Sequence, residues 1–220
     1  MALATLDSIK QKGKIDYKDI MDKFKEWCLY ADYTPFQEVF DIGVATSRAI
    51  IQYGKGTDLI DCGGKTEWDN GNGSLMRILP VCLYLYNRQK MICTSENESI
   101  YLIHNVSALT HAHLRSQIAC GIYYFMVKSV LSREGDLLAK LQWGIDAACQ
   151  YYLSDLNNYK ELGYFSRLFD LNAFRQFSKD QIKSSGYVVD TLEAVTWCLI
   201  TTTSYKEAVL QAVNLGDDTD

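Results

Sequence analysis

Helical periodicity runs through nearly the whole of this chain, and only two of its 220 residues are proline. Strand-like alternation is scarce, so the pattern predicts an all-α fold. Residues 1–12 read as a helix stopped by Gly13, and Asp16 caps a second helix that runs to about Tyr30. Thr34-Pro35-Phe36-Gln37 combines a Thr cap, Pro at the first helical position and Gln at the third. This predicts a helix from there through Val44, Ala45, Ala49 and Ile50 to Gly54. A polar, glycine-rich stretch follows from Lys55 to Gly73. The next helix starts near Ser74, with Leu75, Ile78, Leu79, Cys82 and Leu83 on one face, and Pro80 kinks it or shortens its first part. Further helices are expected near 97–109, 112–132, 135–153, 187–202 and 204–215, with an irregular segment of short helical pieces over 155–184. The expectation is one domain spanning 1–220, a globule of about eight to ten helices with no repeat and no linker.

Charge and cysteine usage narrow the function classes. A net charge of -5 and a pI of about 5.2 argue against a broad nucleic-acid face. No apolar run approaches the roughly 18 residues of a membrane span. The first helix carries Asp7, Lys10 and Lys12 and does not read as a signal peptide. Seven cysteines are scattered without a C-x-x-C pair, mostly at apolar positions. They read as reduced thiols of a cytoplasmic protein, and they disfavour zinc.

Four constellations carry chemistry. The chain ends Gly216-Asp217-Asp218-Thr219-Asp220, directly after a helical stretch containing Tyr205, Ala208, Val209, Ala212 and Val213. Three carboxylates so close repel unless a cation sits between them, and a hard ion such as Mg²⁺ prefers such oxygens. The alternative is a helix cap flanked by solvated charge. The run Asp69-Asn70-Gly71-Asn72-Gly73-Ser74-Leu75-Met76-Arg77 opens a helix after a long loop. Glycines let backbone amides approach an anion such as a diphosphate, and Arg77 adds a fixed charge. The alternative is a plain junction with Ser74 as its cap. In Ser107-Ala108-Leu109-Thr110-His111-Ala112-His113 the two histidines diverge by about 200° on a helix, so one functional histidine is expected rather than a metal clip. His111 can donate to a sugar or phosphate oxygen, position a loop, or simply be a satisfied histidine at a helix junction. Gly186 and Tyr187 precede a helix with Val188, Leu192, Val195 and Leu199 on its core face. They form a lid over a base or sugar, or an ordinary helix start in which Asp190 and Glu193 are first-turn acids.

The order of these motifs resembles the ADP-ribosylglycohydrolase family: G-N-G-S-L-M-R, then S-A-L-T-H, then G-Y-V-V-D-T-L-E-A, then N-L-G-D-D-T-D. The resemblance covers almost the whole chain. It implies a multi-helix orthogonal bundle and Mg²⁺-dependent hydrolysis of the glycosidic bond between ADP-ribose and a modified protein or small molecule. It also implies two Mg²⁺ ions in the intact site. By resemblance, Asp218 and Asp220 are the metal-holding and catalytic acids. Asp217 stands where many members have glycine. Gly71, Asn72, Gly73 and Ser74 lie against the ADP-ribose phosphates, His111 stands beside ribose and phosphate, and Gly186, Tyr187 and Val188 border the ligand. The family's Thr-Asp-Asp-Thr motif ahead of the first helix, and the helix that follows the terminal acids, have no counterpart here. The expectation is therefore impaired turnover by these 220 residues. A non-catalytic helical module that binds ADP-ribose or a related nucleotide is the other reading. An Asp-rich isoprenoid synthase is disfavoured, because no second acid-rich helix faces the first.

Overall fold

The computed structural model describes residues 1–92 and 95–218. Its described residues are helical apart from turns, loops and isolated bridge residues, as the periodicity predicts. The chain falls into two compact units, Met1–Gly121 and Ile122–Asp220.

The first unit contains α1 (Ala2–Lys12), α2 (Tyr17–Tyr30), α3 (Val44–Gly54), the short α4 (Leu59–Cys62), α5 (Leu79–Met91), α6 (Glu96–Ala108) and the start of α7 (Leu114–Ser132). Gly13 ends α1 in the left-handed region at φ 65°, with its N–H on the Ile9 carbonyl. Asp16 caps α2 by accepting from the Asp19 amide at 3.1 Å. α1 packs on α2 and α5, and α2 packs on α3. Between them Ala4, Ile20, Met21, Phe24, Ile78, Val81 and Leu85 are sealed from water. A fully buried side chain such as Phe24 contributes roughly 1.5–3 kcal/mol.

One helix start differs from the sequence reading. Residues 34–43 are not helical, and α3 begins at Val44 behind Gly43. Tyr33 and Gln37 take positive φ, at 64° and 55°. The Thr34 hydroxyl donates to the Ala31 carbonyl at 2.6 Å and accepts from Glu38 at 3.2 Å, closing a turn. Phe36 and Phe40 are exposed, so no apolar face repays helix formation there. Pro80 acts as expected, since a short 3₁₀ turn (Leu75–Arg77) precedes α5, which carries Pro80 in its first turn.

The second unit holds the rest of α7, then α8 (Leu137–Leu153), α9 (Leu156–Leu162), α10 (Leu171–Phe174), α11 (Val188–Thr201) and α12 (Tyr205–Val213). Short 3₁₀ pieces over Gly163–Leu168 and Lys179–Gln181 complete the irregular segment. α11 is apolar on most sides and buries Val188, Leu192, Trp197 and Ile200. It packs on α8 and α12. The six described cysteines are unpaired, and four of them are buried. No helix among the described residues is long and apolar enough to cross a membrane.

Candidate functional site

In the first unit the glycine loop folds back onto the α6–α7 junction. Gly64 and His111 form an isolated parallel bridge, with Gly64 N–H on Thr110 O at 3.2 Å and Ala112 N–H on Gly64 O at 2.7 Å. The loop is stiffened from within. The Thr66 amide and hydroxyl both donate to the Asp69 carboxylate, at 3.0 and 2.6 Å, and Arg48 of α3 donates to its other oxygen at 3.0 Å. Burial opposes the charge on Asp69, but these donors outweigh it and hold the carboxyl below its usual range. Asn70 is fixed in the same way, donating to Glu67 O and accepting from the Ser116 hydroxyl.

This scaffold brings Gly73 onto the imidazole of His111. A Cβ on Gly73 would stand 2.9 Å from His111 Cε1 and 3.0 Å from Thr46 Oγ1, so the approach demands glycine. His111 is 2 % exposed, and its Nδ1 shares a hydrogen bond of 2.7 Å with the Thr110 hydroxyl. Burial, aided by the Arg77 charge and opposed by Asp69, pushes its pKa down to about 3, so the ring is neutral. Gly71, Asn72 and Gly73 are half-buried. Ser74 is not. Its hydroxyl is sealed in the core against the Cys120 thiol at 3.6 Å and makes no capping bond, which corrects the expectation of Ser74 as a helix cap. Arg77 is also turned inward, 1 % exposed, with its guanidinium on the carbonyls of Gly73 and Val106. His113 points elsewhere, its Nδ1 accepting from the Arg115 amide at 3.2 Å.

In the second unit the segment before α11 docks on the turn after α12. Asp218 N–H donates to Ser184 O at 2.9 Å, and the Ser184 hydroxyl donates to Gly216 O at 3.0 Å. Lys179 adds a bond to Asn214 O at 2.6 Å. These bonds set the exposed Asp218 carboxylate against Gly186, where a Cβ would lie 2.7 Å from Asp218 Oδ2. Asp217 takes a left-handed φ of 54°, a conformation that Asp tolerates and glycine prefers. Tyr187 is the half-buried N-cap of α11, and Val188 is fully buried as its first residue. Asp190 accepts from the Ser185 hydroxyl at 2.6 Å. Glu193 lies deeper, paired with Arg167 at 2.6 Å, and burial nonetheless raises its pKa to about 6. Asp220 lies outside the described residues.

Thus Gly73 and His111 meet in one unit, and Gly186 and Asp218 meet in the other. Thr46, which flanks Gly73, and Arg48 and Thr66, which hold Asp69, were not legible as site residues. Nothing local in the sequence marks a residue of α3 as the neighbour of a glycine in a later loop.

A neutral histidine pressed on a glycine loop, and a carboxylate seated on a second glycine, occupy the motifs of one hydrolase family. The profile of the ADP-ribosylglycohydrolase family matches residues 1–220. The chain belongs to that family. Among its relatives is the ADP-ribosylarginine hydrolase Tri1 of Serratia proteamaculans (strain 568), 27% identical over 223 residues, covering 100% of this chain and 54% of that protein. The ADP-ribosyl-[dinitrogen reductase] glycohydrolase of Rhodospirillum rubrum is also 27% identical, with 62% of its length covered. A solved structure described as an ADP-ribosylglycohydrolase-related protein complex shares the fold, with a TM-score of 0.70 and 24% identity, over 99% of this chain and 63% of that one. The chain spans about half the length of the Tri1 relatives and under two thirds of the others.

Proposed function

We propose that residues 1–220 form one ADP-ribosylglycohydrolase domain that acts on the glycosidic bond joining ADP-ribose to an arginine side chain of a modified protein. The observation that carries this reading is the contact of Gly73 with a neutral, buried His111. Gly71, Asn72 and Gly73 lie against the diphosphate, where the missing side chains of the two glycines let the backbone approach an anion. Ser74 contributes through its backbone, since its hydroxyl is sealed away. His111 stays uncharged. With the Thr110 hydroxyl donating to Nδ1, the hydrogen resides on Nε2 and is offered to a phosphate or ribose oxygen. Gly186 and Tyr187 border the sugar.

Mg²⁺ fits the donor chemistry of the acid turn. Asp218 offers an exposed hard oxygen in a cradle that any side chain on residue 186 would fill. Asp218 would hold the ion, together with Asp220 as the family resemblance implies. When bound, Mg²⁺ supplies positive charge that orients ribose hydroxyls and a water. The protein's own part is to hold the ADP moiety so that binding becomes orientation.

The test is release of ADP-ribose from ADP-ribosylated arginine, with Mg²⁺ and with a chelator. Mg²⁺-dependent release, reduced by Asp218→Asn, is the expected result. Neither binding of ADP-ribose nor release in either condition would remove the reading. Binding without any release at any Mg²⁺ concentration would replace it with the non-catalytic module.

A further inference from the structure

Arg77 is the largest fully sealed side chain among the described residues, and it carries a charge there. It makes no salt bridge among the described residues, and its Nε has no hydrogen-bond partner. Stability alone does not explain such a residue. Burying an unpaired cation is unfavourable, and an apolar side chain of similar length would fill the same space without the desolvation cost. The guanidinium does something an apolar chain cannot. One terminal nitrogen donates to Gly73 O at 2.7 Å and the other to Val106 O at 3.2 Å, while Cζ lies 5.1 Å from the Phe24 ring centre. Gly73 belongs to the glycine loop. Val106 belongs to the last turn of α6, the helix that leads into His111. The planar fork therefore ties together the two segments that meet at the Gly73–His111 contact, a task that the single ammonium of lysine does not reproduce.

We propose that Arg77 is a positioning residue. It never touches the ligand, but by clamping the carbonyls of Gly73 and Val106 it fixes the Gly71–Gly73 amides relative to His111, and so sets the affinity of the loop for a nucleoside diphosphate sugar. The proposal rests on the ADP-ribose reading of the loop.

The test is a double-mutant cycle read by calorimetry with ADP-ribose, each protein checked for helicity and melting temperature. Arg77→Lys keeps the charge and loses the two-carbonyl clamp. Gly73→Ala forces the imidazole away directly. Each is expected to weaken binding about tenfold, and the double variant to bind no more weakly than the worse single one, because both act through one contact. A core role alone would lower the melting temperature while leaving affinity unchanged. Wild-type affinity in Arg77→Lys, or losses that multiply, would overturn the proposal. If Arg77→Lys does not fold, Arg77→Gln, which keeps one donor for a carbonyl, is read in the same way. Failure of both to fold assigns Arg77 to the core and overturns it. If the wild-type protein binds no ADP-ribose, the functional reading fails by itself. The His111 Cε1–H resonance then decides: a shift in Arg77→Lys supports the clamp, and an unmoved line refutes it.

Discussion

Gly73 and Gly186 both stand where an added Cβ would collide, but with different obstacles. At Gly73 the neighbours are the ring of a buried histidine, fixed by its bond to Thr110, and the buried Thr46 hydroxyl of α3. At Gly186 the only close neighbour among the described residues is the tip of an exposed aspartate. The first arrangement is prebuilt: capping bonds, an ion pair and a buried guanidinium leave it one geometry. The second is adjustable, because rotation of one side chain relieves it. Under the proposed function this contrast is a division of labour. Holding an anion through backbone amides needs rigidity, since amides cannot reorient without moving the chain. A carboxylate can turn to meet a cation, so its support need only be approximate.

Substitutions should separate the two regions. The largest effect is expected from Gly63→Ala in the first unit, where the new Cβ would lie 2.0 Å from the Ala108 carbonyl oxygen. Backbone must move, and urea unfolding should show a loss of about 3 kcal/mol or more. A loss below about 1 kcal/mol would show that the loop is not rigid.

Acidity should act with opposite sign in the two regions. His111 has its folded pKa pushed below the unfolded value of about 6.5, so its contribution is fully present above that pH. It is lost as pH falls toward about 3, at about 1.4 kcal/mol per pH unit. Unfolding free energies measured from pH 7 to pH 4 should lose that slope in His111→Gln. A residual slope comes from His104, which burial pushes down to about 4. Glu193 is raised to about 6, so its contribution is complete below its unfolded pKa. It is lost as pH rises through about 6, an effect on the order of 2 kcal/mol. Glu193→Gln should abolish that falling limb, and an unchanged pH profile would show that Arg167 keeps the carboxylate ionised throughout.

Gly186→Ala should change least in stability, by about 1 kcal/mol or less, because only the Asp218 side chain must shift. It should nevertheless weaken Mg²⁺ binding measured by calorimetry. A stability loss as large as that of Gly63→Ala would erase the contrast between the regions.

The helices were legible wherever a local device ends or starts them, as with Gly13, Asp16 and Pro80. Thr34-Pro35 misled because its cap and proline are sound while the residues after it, Phe36 and Phe40, have no core to face. The glycine loop and His111 could be found as motifs, and the all-α class followed from periodicity. The sequence could not show that Arg77, a plausible ligand for phosphate, is sealed inside, since direction depends on how α2 and α6 close over it. Nor could it show that Asp218 rests on Gly186, a contact between residues far apart in the chain.

Calorimetric titration of ADP-ribose, in chelator and then in Mg²⁺, tests the account most directly when wild type, Gly73→Ala and Asp218→Asn are compared. In chelator, binding should fall in Gly73→Ala and stay at the wild-type level in Asp218→Asn, while the gain on adding Mg²⁺ should vanish in Asp218→Asn alone. Loss of metal-free binding in Asp218→Asn equal to that in Gly73→Ala, or no binding by the wild-type protein, would contradict it.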